Sequence, residues 1–280
     1  MRAHGVLDGV AGLGISDHVC WEYSSESEFL DAALPWIADG LSLGQRVLYI
    51  ADKSEHWMAD DLSALGGTAL RARDRGALVI QPLADLVPDG GPVNPESHLA
   101  KFDAITQQAL SDGYEGVRVL ADVAALVRNP EWRSEHVRWE QLADRYMVDN
   151  PLAAFCAYDR RLLDEDATAA IACVHPLRRG RTTGSTFSLF ATKDGLFLEG
   201  DVDTFQADLL DRTLAARARR DELVVRIDER AFLDAAATTV LARHAKLARE
   251  RGQRVHIDHG NETVRRVWDL LGYSEIVPIT

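Results

Sequence analysis

Short apolar runs alternate with longer amphipathic stretches through the first half of the chain. HVCWEY (18–23), RVLYIA (46–51), LVIQPL (78–83), GVRVLAD (116–122) and LAAFCAYD (152–159) read as strands. SEFLDAALPWIADGLS (27–42), MADDLSALG (58–66), residues 95–111 and EHVRWEQLADRYM (135–147) read as helices. Strands separated by helices of this length predict mostly parallel pairing through right-handed crossovers, hence an α/β layered sheet. Ligands in such sheets gather beyond the carboxyl ends of the strands, where Tyr158 and Asp159 stand.

The pattern changes after ACVHPL (172–177). RRGRTTGST (178–186) is basic, rich in small residues and without apolar periodicity, and a linker at 179–186 is expected there. Beyond it TFSLFAT and LFLEGDV predict a hairpin around Lys193-Asp194-Gly195. Then follow a helix over 204–219, the strand LVVRID, a helix opening on Asp234, the strand RVHID, the helix ETVRRVWDLLG and a last strand EIVPI. That is a smaller unit, 187–280, with a mixed sheet. On its central helix Val240, Leu241, His244, Leu247 and Ala248 define the expected inner face, which leaves the first turn, Ala235, Ala236 and Ala237, facing outward. Residues 1–14, glycine-rich, are expected as a loose tail.

With 280 residues, 46% of them hydrophobic, the chain is long enough for two domains, each with a core. Charged residues make up 27% and no apolar run approaches the roughly 20 residues of a membrane span, so a soluble, cytoplasmic protein without a membrane partner is expected. Cys20, Cys156 and Cys173 are too few for a disulfide framework and fit free thiols. The net charge of -13 argues against a nucleic-acid partner. The acidity is uneven, with 28 acidic against 17 basic residues up to Gly184 and 16 against 14 after it. Homo-oligomerisation is left open.

Candidate chemistry is concentrated in the first unit. His18 and Cys20 share one face of a strand, and so do Cys173 and His175 if CVH is extended. Four such N and S ligands would suit zinc, whereas buried cysteines also serve as small hydrophobes, and no metal or other cofactor is assigned. Cys20 beside His18 also suggests a nucleophile, but no orienting third group is identifiable. Arg118 lies in a strand apolar on both sides and needs a partner, for which Glu140 on the next helix is the candidate. Trp21, Trp36 and Trp139 read as packing residues. After the first strand stands SSESEF, with Glu26 and Glu28 where a phosphate loop would need glycines and a lysine, which argues against nucleotide hydrolysis.

Residues 15–178, with His18, Cys20 and Tyr23 in a His-x-Cys-x-x-Tyr arrangement, Arg118, Glu140, Cys156, Tyr158, Asp159 and the His175-Pro176 pair, resemble the MEDS sensory domain of bacterial regulators of methanogenesis, methylotrophy and halomethane use. The resemblance implies a RecA-like layered sheet and a sensor of small hydrocarbon derivatives, with these residues other than Pro176, nine in all, as ligand-binding candidates.

The second unit, with VVRIDERAFLDAAATTVLARHAKLARERGQRVHID, resembles the STAS domain of sulfate transporters and anti-sigma-factor antagonists. In that family the corner reads Asp-Ser-Ser-Gly or Asp-Ser-Thr-Gly and its serine is phosphorylated by an anti-sigma kinase. Here Asp234 is followed by Ala235, Ala236, Ala237 and Thr238, so the helix keeps its cap but lacks the acceptor. The two resemblances together imply a signalling protein, not an enzyme, in which a ligand in the sensor changes the STAS surface offered to an anti-sigma factor. The alternatives are an enzyme acting on a one-carbon or thiol-reactive compound through His18, Cys20 and His175, and a scaffold that only packs or dimerises.

Overall fold

The computed structural model describes residues 2–87, 91–179, 184–217, 222–258 and 260–279. Its larger sheet is all parallel, with strands β1 (Gly5–Leu7), β2 (His18–Tyr23), β3 (Arg46–Ala51), β4 (Leu78–Pro82), β5 (Val117–Asp122), β6 (Leu152–Asp159) and β7 (Leu177–Arg179) in the order β1-β7-β2-β6-β5-β3-β4. The crossover from β2 to β3 is α1 (Glu26–Ser42), and that from β3 to β4 is α2 (Glu55–Asp61) with α3 (Gly67–Asp74). Both move the chain one way along the sheet. The later crossovers return it the other way: α4 (Leu83–Leu86) with α5 (Pro95–Ser111), α6 (Ala124–Arg128) with α7 (Pro130–Asp149), and α8 (Glu165–Ala172). A fixed crossover hand therefore puts the two groups on opposite faces. The side chains agree: Val19, Trp21, Phe155 and Ala157 share a core with α1 to α3, while Cys20, Ala154, Cys156 and Tyr158 share one with α5 and α7.

The smaller sheet is mixed. β8 (Phe187–Thr192) and β9 (Gly195–Val202) form an antiparallel hairpin, and β10 (Glu222–Ile227), β11 (Phe232–Leu233) and β12 (Arg254–Asp258) add parallel pairs. Its helices are α9 (Ala207–Ala216), α10 (Ala235–Glu250) and α11 (Glu262–Leu270). The α/β class with one parallel and one mixed sheet is as the pattern predicts.

Several local expectations change. Residues 58–66 are not one helix, because α2 gives way to a 3-10 turn over Leu62–Leu65 that ends at Gly66 with φ of 54°. EIVPI contributes only a bridge from Ile279 to Ile257, after a 3-10 turn at Tyr273–Glu275. The helix expected over 204–219 starts at Ala207, since the Asp203 carboxylate accepts from the Phe205 and Gln206 amides and holds a turn there; Arg219 lies outside the described residues. The 1–14 segment is not all loose: β1 pairs with β7, and Arg2 donates to the Ser16 carbonyl. Of the 179–186 linker, Arg179 belongs to β7 and residues 180–183 lie outside the described residues. On α10 the buried stripe is Ala237, Thr238, Leu241, Ala242, Ala245 and Ala248, so part of the first turn faces inward and Leu247 is exposed.

The two sheets are not separated. Val137 of α7 and Ala169, Ala170, Cys173 and Val174 around the end of α8 belong to one core with Phe187, Leu189, Leu198 and Leu223 of the second sheet. Helix α7 therefore contributes to both cores, Val137 to this one and Ala143 and Met147 to that of the larger sheet. It begins where the Asn129 side chain accepts from the Glu131 amide and Pro130 fills the first turn. Among the described residues no helix is long and apolar enough to cross a membrane.

Candidate functional site

β2 and β6 are adjacent and parallel, with Cys20 opposite Cys156. Alternation along each strand points His18, Cys20, Cys156 and Tyr158 to the α7 side of the sheet. On α7 the spacing of four residues puts His136, Glu140 and Asp144 on one stripe above them. His175 arrives from the turn after α8, where Cys173 is the helix cap. His18, His136, Glu140, Asp144, Cys156, Tyr158 and His175 are all buried.

Both ring nitrogens of His18 face carboxylates: Nδ1 lies 3.1 Å from Asp144 Oδ1 and Nε2 3.1 Å from Glu140 Oε2. The other Glu140 oxygen accepts from the Tyr158 hydroxyl at 2.9 Å and lies 3.0 Å from His136 Nε2. Cys156 Sγ is 3.5 Å from His18 Nε2 and 3.7 Å from Glu140 Oε2. His175 donates from Nδ1 to the Ile171 carbonyl at 2.7 Å, and its Nε2 has no hydrogen-bond partner among the described residues. Asp144 is balanced by Arg2, 2.6 Å away, and accepts from the Ala191 amide of β8 at 2.7 Å.

These contacts set the charges. Burial pulls the His18 pKa down, but the Asp144 and Glu140 carboxylates together outweigh it and hold it above its ordinary 6.5. Burial alone would raise Glu140, yet bonds from His136 and His18 keep it well below the usual carboxylate range. His175, buried and beside His18, is pushed down to about 3 and is neutral. Burial, reinforced by Glu140, pushes the Cys156 thiol and the Tyr158 hydroxyl well up. Cys20, buried and near Glu22, is also pushed well up.

Beside this cluster lies a cavity of about 50 Å³ between the sheet and α5 and α7. His18, Glu140 and Cys156 supply its polar wall, His98 adds an imidazole that burial lowers to about 4, and Ile50, Leu83, Phe102 and Trp139 are among its apolar lining. Trp139 packs against His98 and Phe102 and also borders the cavity. Trp36 packs under the Arg118 guanidinium, and Trp21 against Phe155 and Arg179.

The nine ligand candidates do not converge on one place. His18, Glu140, Cys156, Tyr158 and His175 come together. Cys20 lies beside them on the same face without joining the ligand-distance group. The proposed set of His18, Cys20, Cys173 and His175 does not form, because residues 165–172 are helix rather than strand, and Cys173 turns to Thr213 of α9, 3.4 Å away. Glu140 is not the partner of Arg118. Alternation on β5 sends Arg118 to the opposite face, where it donates to Gln45 and the Leu13 carbonyl, and where Gly40 of α1 leaves room that a Cβ would fill, 2.7 Å from Arg118 Cδ.

Tyr23 and Asp159 stand at the carboxyl ends of β2 and β6, in a separate crevice of about 320 Å³ with Glu26, Asp52, Lys53, Asp122 and Arg161. Its charges are largely paired: Tyr23 donates to Asp122, Arg161 to Asp159, and Lys53 to Glu26 and Asp61. The adjoining start of α1 is closed by its own side chains, the Ser25 hydroxyl accepting from the Glu28 amide and the Glu28 carboxylate from the Ser24 amide. His136 and Asp144 were missed from sequence, although their spacing from Glu140 was the signal.

The parallel sheet formed by strands between Gly5 and Arg179 thus carries a buried His, Glu and Cys cluster on one face. Over residues 17–176 the chain matches the family model MEDS, the methanogen/methylotroph, DcmR sensory domain, and it belongs to that family. No curated protein matches the chain.

The crevice yields a pH test. Burial pushes Asp122 up from 3.8 to about 6, against the opposing Tyr23 hydroxyl and Lys53. The folded state thus holds this proton more tightly than the unfolded one, a contribution present below the unfolded value and lost as pH rises through the folded one. A shift of this size is worth at most about 3 kcal/mol, and less for a half-buried group. Asp122→Asn, which can still accept from Tyr23, should stabilise the protein against urea near pH 8 relative to wild type, with the gain shrinking near pH 4.

Proposed function

We propose that the chain is a cytoplasmic signalling protein that senses a compound of a few heavy atoms, a small hydrocarbon derivative, in the cavity beside His18, Glu140 and Cys156. The observation that carries this reading is the cavity itself, which pairs an apolar lining with one polar wall. Its size supports a very small ligand, being above the about 10–15 Å³ needed by one water and below the about 150 Å³ of an apolar cavity that admits benzene.

The second unit is read as an interaction domain of the anti-sigma-factor antagonist type that lacks the phosphoacceptor. Asp234 caps α10 by accepting from the Ala237 amide and also accepts from the Thr204 hydroxyl. Ala237 and Thr238 are buried, which leaves Ala235, Ala236 and the neighbouring Phe205, 89% exposed, to meet a partner. Communication between the units would run through α7, whose Glu140 borders the cavity and whose Asp144, one turn on, holds the Ala191 amide of β8.

Two experiments test the two halves. Halomethanes, methanol and methylamine are screened for thermal stabilisation; a binder at 100 times its Kd should add about 2.7 kcal/mol, and Ala143→Leu, which fills the cavity, should abolish the gain in a folded protein. Equal stabilisation of the variant would place the ligand elsewhere. For the corner, wild type should bind an anti-sigma kinase from its own organism yet take no phosphate from ATP, Ala236→Ser should take it, and Ala236→Asp should bind more weakly. No binding by the wild type, with or without ligand, would remove the partner reading.

A further inference from the structure

Four atoms in the buried cluster lie within 4.8 Å of one another: His18 Nε2, Glu140 Oε2, Cys156 Sγ and His175 Nε2. Around Glu140 Oε2 the separations are 3.1 Å to His18, 3.7 Å to Cys156 and 3.6 Å to His175, and Cys156 Sγ is 3.5 Å from His18. Tetrahedral zinc, with bonds of about 2.0–2.1 Å to N and O and about 2.3 Å to S, sets its ligand atoms about 3.3–3.6 Å apart. The second observation is His175. Its Nδ1 must carry the proton donated to the Ile171 carbonyl, so an Nε2 lone pair is aimed, fully buried and unpartnered, at a carboxylate oxygen. Two acceptors facing each other in the interior leave a place for a cation between them.

We propose that His18, Glu140, Cys156 and His175 form a tetrahedral site for a divalent metal, zinc by the chemistry of its donors. Imidazole and thiolate donors select zinc over magnesium or calcium. Three of the four ligands already have an outer partner that fixes them: Asp144 on His18 Nδ1, the Ile171 carbonyl on His175 Nδ1, and Tyr158 with His136 on the far oxygen of Glu140. The metal replaces the protons on Cys156 Sγ and His18 Nε2, and with one thiolate and one carboxylate the Zn²⁺ site is neutral, while Asp144 stays balanced by Arg2. The site occupies the polar wall of the cavity and stands whether or not the cavity takes a ligand.

The full chain, purified without chelator, should carry one zinc. X-ray absorption of that wild-type protein should show one sulfur and three nitrogen or oxygen neighbours, and replacement by Co²⁺ should give the intense visible bands of a four-coordinate ion with a thiolate charge-transfer band. Cys156→Ala should abolish the charge-transfer band, and Cys20→Ala and Cys173→Ala should keep it. His175→Gln should weaken zinc binding by more than the about 10–100-fold typical of losing an outer partner. A folded wild type that holds no zinc and gives no cobalt bands on reconstitution would overturn the proposal. So would a sulfur-free metal shell, or a thiolate band that survives Cys156→Ala.

Discussion

Asp144 is a carboxylate 1% exposed to solvent, and a buried charge left without partners costs several kcal/mol. It finds them in three distant parts of the chain: the guanidinium of Arg2 near the start, the imidazole of His18 on β2, and the backbone amide of Ala191 on β8. Satisfying this one group therefore fixes the N-terminal segment, the first long strand of the parallel sheet and the hairpin of the second unit against α7. The same requirement holds one turn earlier, where Glu140 is surrounded by His18, His136, Tyr158, Cys156 and His175.

From that constraint the functional geometry follows. A helix with carboxylates at two successive turns is held firmly by the sheet beneath it, and Val137, on the same buried stripe one turn before Glu140, is part of the core of the second unit. A change at the cavity is thus a change in the surroundings of an element that both units share. Linkage of this kind needs a ligand that interacts differently with two arrangements of α7, and a wall of buried hydrogen-bonded charges is where such differences are largest.

Much of the fold is legible because the parallel strands are continuous apolar runs of the right length. Both HVCWEY and RVLYIA coincide with β2 and β3 to the residue. The site is only partly legible. The facing of His18 and Cys20 follows from strand alternation, and the same rule, applied to Val117, Arg118, Val119 and Leu120, would have placed Arg118 on the face away from Glu140. What misled was ACVHPL: the short helix before it, capped by Asp164 through the Ala167 amide, is alanine-rich and lacks a strong periodic signal. Its end therefore looked extended. Strand β1, three residues long, is too short for any period and exists because β7 offers it an edge. The convergence of His175 with Cys156 depends on pairings far apart in sequence, which no local pattern encodes.

The central claim is that α7 connects the buried cluster to the second unit. Amide hydrogen exchange of Glu140→Gln against wild type tests it directly, because the substitution keeps the shape of the side chain and removes its charge. The account predicts faster exchange not only in β2 and β6 but also across β8 and β9, led by the Ala191 amide. Exchange that changes only in the larger sheet and α7, with β8 and β9 as protected as before, would contradict it.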